Sequence, residues 1–182
     1  MTDRPLLLVD VDGPLNPWAA NPNRRPDGYE THRLRPEGWK DPRRKPLRVW
    51  LKPAHGPALL ALPFDLVWCT TWAAEANDLI GPAIGLPDLP VVEWPDGAQR
   101  LPGVAGGPFW KTEHVVRWAA GRPFAWVDDD LGPADREYVA AHHDGPALLH
   151  HVDPRRGLLA ADFDALTAWA EALHVPAARR PA

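Results

Sequence analysis

Leu6-Leu7-Leu8-Val9-Asp10-Val11-Asp12-Gly13-Pro14-Leu15 is the stretch that decides how this chain is read. Four consecutive apolar residues followed by an acid read as a short strand buried on both faces, the kind found in parallel sheets. Asp12-Gly13-Pro14 carries turn chemistry and ends the strand.

Outward from that strand the pattern alternates. Residues 14–46 are rich in Pro, Arg, Asn and Gly and show no helical period. A segment this long is unusual for a passive loop, so it is expected to hold function or a small hairpin, with Tyr29–Leu34 and Leu47–Leu51 as its strands. Pro53–Leu62 reads as a short helix with proline in its first turn. Asp65–Thr70 reads as a second buried strand, Trp72–Ile80 as a helix and Pro90–Trp94 as a third strand. After a Gly/Pro loop over 95–108, Trp110–Ala120 reads as a helix stopped by Gly121. Phe124–Asp128 is a fourth strand, Pro133–Ala141 a helix, Ala147–Val152 a fifth strand and Ala161–Leu173 a closing helix. Pro176–Ala182 is expected to fray. Strands alternating with helices predict an α/β domain, a Rossmann-like doubly wound parallel sheet of about five strands covered on both faces. One domain is expected over 1–175, with an insert at about 14–52.

Composition fits one globular domain. The chain has 182 residues, 45% hydrophobic and 24% charged, which excludes disorder or coiled coil as a whole-chain description. Proline (23) and tryptophan (10) are in excess, and arginine outnumbers lysine 16 to 4. A GC-rich genome is the bland account of that bias. The net charge of −4 argues against a generally basic nucleic-acid binder. It is uneven, however: residues 24–48 sum to +5 and the remainder to −9. A basic segment of this kind is either a solvated loop or a receiver for an anionic ligand. Cys69 stands alone, which excludes an internal disulfide and a cysteine-rich zinc site. No apolar run approaches 18 residues, and Leu6–Val9 is too short for a signal-peptide core. A soluble, cytoplasmic protein with no membrane partner is the expectation.

In open parallel sheets ligands bind beyond the carboxyl ends of the strands. There this sequence places Asp10 and Asp12, then Thr70 and Thr71, then Asp128, Asp129 and Asp130, with Lys111 opening the helix before the last group. Clustered carboxylates repel, and a hard cation such as Mg²⁺ removes that repulsion using oxygen ligands. A hydroxyl and an ammonium can hold phosphoryl oxygens. The set therefore suits Mg²⁺-dependent phosphoryl transfer. An Asp after a strand can also be a mere turn former or helix cap, and Asp130 reads best as a cap.

The order Asp10-x-Asp12, then Thr70, Lys111 and Asp128-Asp129 resembles the haloacid dehalogenase (HAD) superfamily of phosphatases and phosphotransferases. Val-Trp-Cys-Thr70-Thr71-Trp, Trp110-Lys111-Thr112 and Ala-Trp-Val-Asp128-Asp129-Asp130 complete the match, which spans residues 6–130. The start Asp-Val-Asp-Gly-x-Leu-Asn-Pro also looks like compact HAD domains associated with RNA-repair proteins. The resemblance implies that Asp10 is the nucleophile and a metal ligand. It implies that Asp12 is the general acid and base, its main-chain carbonyl a ligand. Thr70 would bind the phosphoryl group, Lys111 would neutralise charge, and Asp128 and Asp129 would position Mg²⁺. Pro14 stands where the family commonly has Thr or Val. It lacks an N–H, but the amides nearer Asp10 and Asp12 are those expected to meet phosphate.

The insert is too small for a large cap domain, so a capless or minimally capped site with a hairpin flap is expected, open to large substrates such as nucleic-acid ends. Arg43 and Arg44, with Thr71, are the weaker substrate-binding candidates. Trp18, Tyr29, Trp39 and Trp50 accompany the basic residues, either as a surface for single strands or as packing of the flap onto the domain. His142-His143 and His150-His151 are adjacent pairs, which point apart and make poor joint ligands. His32 and His55 are candidates to touch substrate from the flap. The expected function is a Mg²⁺-dependent phosphomonoesterase. The alternative is a catalytically weak HAD-fold module that binds an anionic partner.

Overall fold

In chain order the elements are β1 (Leu6–Val9), β2 (Glu30–Leu34), β3 (Leu47–Leu51), α1 (His55–Leu60), β4 (Asp65–Trp68), α2 (Glu75–Leu79), α3 (Gly81–Ile84), α4 (Thr112–Ala119), β5 (Phe124–Asp128), α5 (Pro133–His142), β6 (Ala147–His151) and α6 (Ala160–Leu173). The computed structural model describes residues 4–39, 41–95, 97–98 and 106–173. The expected frayed tail, Pro176–Ala182, lies outside the described residues.

β1 is fully buried and sits between β4 and β5, with Val9 level with Trp68 on one side and Val127 on the other. β6 continues the sheet beyond β5, and all three pairings are parallel. The connection from β1 leads to β4 on one side, and the next strand, β5, lies on the other. β1 is therefore the topological switch point, where such sheets open a crevice beyond their carboxyl ends.

The sheet has four strands where the sequence suggests about five. Pro90–Trp94 meets β4 only through one bridge, Trp68 with Val91. The Trp68 N–H donates to the Pro90 carbonyl and the Val92 N–H to the Trp68 carbonyl, each at 2.8 Å. Pro87, Pro90 and Pro95 lack the N–H groups a longer ladder needs. The single helix expected over Trp72–Ile80 is likewise divided. A turn precedes α2, and a separate α3 begins at Gly81 with Pro82 in its first turn.

Alternation along the strands builds a core on each face. Leu7, Val9, Leu66, Trp68, Ala125 and Val127 pack with residues of β3, α1, α2, α3 and α6. Leu6, Leu8, Val67, Phe124 and Trp126 pack with Val115 and Ala119 of α4 and Val139 of α5. Trp68 and Trp126 are both fully buried, and large side chains of this kind each contribute about 1.5–3 kcal/mol or more. The expected hairpin is present: β2 and β3 pair antiparallel from Glu30 with Leu51 to Leu34 with Leu47. Among the described residues no helix is long and apolar enough to cross a membrane.

Candidate active site

Strand parity places the acids. Leu6 and Leu8 face α4 and α5, as do Phe124 and Trp126. Continuing the period of two, Asp10 and Asp128 point the same way. Lys111, directly before α4, meets both. Its Nζ lies 3.3 Å from Asp10 Oδ1 and 2.8 Å from Asp128 Oδ2, and it donates to the Cys69 carbonyl at 3.2 Å. Lys111 is only 2% exposed.

Asp135, on α5, fixes this approach. Its Oδ1 accepts from the Phe109 N–H at 2.6 Å and the Thr112 hydroxyl at 2.5 Å, bracketing Lys111 in sequence. Its Oδ2 accepts from the Gly132 N–H at 2.7 Å. The N-cap of α5 is Gly132, followed by Pro133. Asp130 is therefore not the cap that the sequence suggests; its N–H donates to Asp128 Oδ1 at 3.0 Å.

Asp10, Asp128 and Asp129 each offer a carboxylate oxygen, and the three oxygens lie within 4.8 Å of one another. Gly13 permits this closeness: its φ is +98°, and a Cβ there would stand 2.5 Å from Asp129 Cγ. Asp10 and Asp128 share the Lys111 ammonium and Asp129 adds a third carboxylate beside them, which leaves negative charge uncompensated and is costly without a cation. An all-oxygen set of this geometry could hold a hard metal ion.

Burial pushes the Asp10 carboxyl above the usual range; Lys111 and a hydrogen bond with Thr70 pull it back, while Asp128 and Asp12 push it further up. Burial opposes the charge on Lys111, but Asp10 and Asp128 more than offset that and hold the ammonium above the ordinary lysine range. Asp129 is raised by burial, against a hydrogen bond from Trp18. Burial also pushes the Cys69 thiol up, which keeps it neutral.

Thr70 and Thr71 separate clearly. Thr70 is fully buried, hydrogen-bonds Asp10 and accepts from the Trp72 N–H at 3.3 Å. Thr71 is exposed and lines a cavity with Asp12. Asp12 stands apart from the three-oxygen set. Its Oδ1 accepts from Asn16 Nδ2 at 2.7 Å and its Oδ2 from Trp72 Nε1 at 2.9 Å. Asn16 in turn accepts from the Trp50 N–H of β3 at 3.0 Å, tying Asp12 to the hairpin.

The flap arginines are largely engaged within the chain. Arg43 binds Asp41 through its main-chain N–H, Nε and Nη2. Arg44 lies over the Trp39 ring at 4.6 Å, and Arg48 over the Trp50 ring at 3.9 Å. Tyr29 and Trp50 are buried, so much of the aromatic set packs the flap down. His55 is a core residue, against Tyr29 and Phe163. His142, His143 and His150 bond Tyr138, Arg122 and Asp162 separately.

Several residues meet the site through contacts that the sequence does not suggest. Trp18 donates to Asp129 Oδ2 at 3.0 Å and Trp94 to the Thr70 carbonyl at 2.8 Å. With Trp72 they put three indole N–H groups on the site, and the tryptophan surplus was the available signal. Asn16 lay in the Leu-Asn-Pro motif; Asp135 gave no signal. A cavity of about 480 Å³ is lined by Arg4, Leu6 and Asp65, at the amino ends of β1 and β4, so it lies at the opposite edge from the acids.

No family model matches the chain, and no curated protein and no solved structure matches it.

Proposed function

We propose that the protein is a Mg²⁺-dependent phosphomonoesterase that works through an aspartyl-phosphate on Asp10. The observation that carries this reading is the buried Lys111 ammonium between Asp10 and Asp128, with Asp129 completing a set of three oxygens. Asp10, Asp128, Asp129 and the main-chain carbonyl of Asp12 would hold Mg²⁺. Its charge would let carboxylates and phosphate share one site.

A carboxylate oxygen of Asp10 attacks phosphorus, and the bond from phosphorus to the leaving oxygen breaks. Asp12 supplies the proton that this oxygen takes up, and the alcohol departs. Asp12 then takes a proton from water. That water oxygen attacks the aspartyl-phosphate and breaks its bond to Asp10, releasing inorganic phosphate and leaving Asp12 protonated again. Lys111 balances charge on Asp10 and the phosphoryl oxygens throughout, and Thr70 donates to them. The bonds from Asn16 and Trp72 hold Asp12 in place for both proton transfers.

A HAD-like, capless arrangement supports an open site that takes large phosphorylated substrates, nucleic-acid ends among them. Exposed Arg24, Arg25 and Arg33 supply cations on the hairpin side. Hydrolysis of p-nitrophenyl phosphate that needs Mg²⁺ and vanishes in Asp10→Asn is the expected result. Full activity in that variant removes Asp10 as nucleophile. Oligonucleotide binding with no phosphate release at any Mg²⁺ concentration favours a binding module instead.

A further inference from the structure

A cavity of about 290 Å³ opens beside Asp12, between the sheet edge and the hairpin. Its volume is at the small end for ligand pockets, which run roughly 300–1,000 Å³. Trp39 and Trp72 line it together with Pro36 and Leu47. Both indole N–H groups are already engaged, Trp72 with Asp12 Oδ2 and Trp39 with the Lys45 carbonyl at 2.9 Å. The two rings therefore offer a ligand apolar contact rather than hydrogen bonds, with stacking on Trp39 limited to the face that Arg44 does not cover. The charged side chains on the lining are both acidic, Asp12 and Glu75, and no lysine or arginine among the described residues lines the cavity.

We propose that this cavity receives the leaving group of the phosphomonoester and selects a flat aromatic ring system without negative charge of its own. The inference rests on the phosphatase reading, because it takes Asp12 as the residue that protonates the leaving oxygen. That proton must be delivered from the cavity wall, so the group carrying the oxygen lies in the cavity. Stacking of a ring on an aromatic side chain is worth about tenfold or more in binding, and the Glu75 carboxylate disfavours an anionic group. A free nucleoside monophosphate and the terminal nucleoside of a strand share the required ring.

Adenosine 5′-phosphate and ribose 5-phosphate release the same kind of primary alcohol and differ in the base. The wild-type protein with Mg²⁺ is expected to favour adenosine 5′-phosphate at least tenfold in kcat/KM, and Trp39→Ala to bring that ratio to within threefold of one. Equal kcat/KM for the two substrates in the wild type overturns the proposal, as does a ratio unchanged in Trp39→Ala. Glycerol 3-phosphate is expected to be favoured over 3-phosphoglycerate, with Glu75→Gln narrowing the gap; a preference for 3-phosphoglycerate overturns the charge selection. A 5′-phosphorylated oligonucleotide compared with adenosine 5′-phosphate tells strand ends from free nucleotides, and preference for either one supports the ring pocket. Equal rates for adenosine 5′-phosphate and ribose 5-phosphate that both vanish in Asp10→Asn overturn the pocket alone. Hydrolysis of none of these esters, or of p-nitrophenyl phosphate, overturns the phosphatase reading with it.

Discussion

Trp72 Nε1 donates to Asp12 Oδ2 at 2.9 Å, across sixty residues of sequence. Together with Asn16 Nδ2 on the other oxygen, it leaves the Asp12 carboxylate little freedom to rotate. Hydrogen bonds to charged groups are worth about 1.5–3 kcal/mol, or about ten- to hundredfold in rate if the bond matters in the transition state. Trp72→Phe keeps a ring at this buried position and removes the donor. Its kcat is expected to fall within that range for alkyl phosphates, whose leaving oxygen needs a proton. The loss is expected to be much smaller for p-nitrophenyl phosphate, whose leaving group does not. An equal loss for both esters would mean that Trp72 acts only in packing.

Lys111 is buried between two carboxylates, and removing one partner of such a set leaves charge unpaired. Lys111→Met is expected to lose about 3–5 kcal/mol of stability and most of its activity. Lys111→Arg is not expected to restore activity, because a planar guanidinium cannot occupy the space of a compact ammonium that is 2% exposed. Urea denaturation and Mg²⁺-dependent turnover measure the two effects. Wild-type stability in Lys111→Met refutes the buried-pair argument.

The oxygen set of Asp10, Asp128 and Asp129 predicts that Mg²⁺ stabilises the fold. A ligand at a hundred times its Kd adds about 2.7 kcal/mol, which for a chain of this size raises Tm by about 5–10 °C. Calorimetry with and without Mg²⁺ at constant ionic strength reads this shift. Asp128→Asn and Asp129→Asn are expected to shrink it. A shift of the same size in both variants places the cation elsewhere.

Period and punctuation made most of the fold legible. A buried apolar run ending in an acid marks a parallel strand here, and β1 and β5 both carry it, while β4 runs out into Cys69 and Thr70. Parity within those strands then aims Asp10 and Asp128 at one face. Two things were less legible. Whether Pro90–Trp94 pairs along its length depends on N–H groups that proline removes, and a β-like composition hides that. Trp72, which holds Asp12, and Asp135, which fixes the segment around Lys111, act through contacts between elements distant in sequence. Only the packed fold shows that the Trp72 indole holds the proposed proton donor.

His55 gives the chain a pH dependence that does not pass through the site. Its Nε2 bonds the Leu158 carbonyl at 3.1 Å, so that nitrogen carries the proton. Its Nδ1 is buried without a partner. A second proton would therefore create a buried N–H with no acceptor. Burial lowers the imidazole from 6.5 to about 4, against the pull of the Leu158 carbonyl. The unfolded chain takes up this proton near pH 6.5, while the folded chain refuses it until near pH 4. Stability from this group is thus fully present above about pH 6.5 and is lost as pH falls toward 4. At about 1.4 kcal/mol per pH unit, the loss by pH 4.5 is about 2–3 kcal/mol. His55→Phe preserves a ring against Tyr29 and Phe163 and removes the titration. Unfolding free energies of the two proteins between pH 7 and 4.5 are expected to converge by that amount. Parallel profiles would show that His55 accepts its proton as readily folded as unfolded.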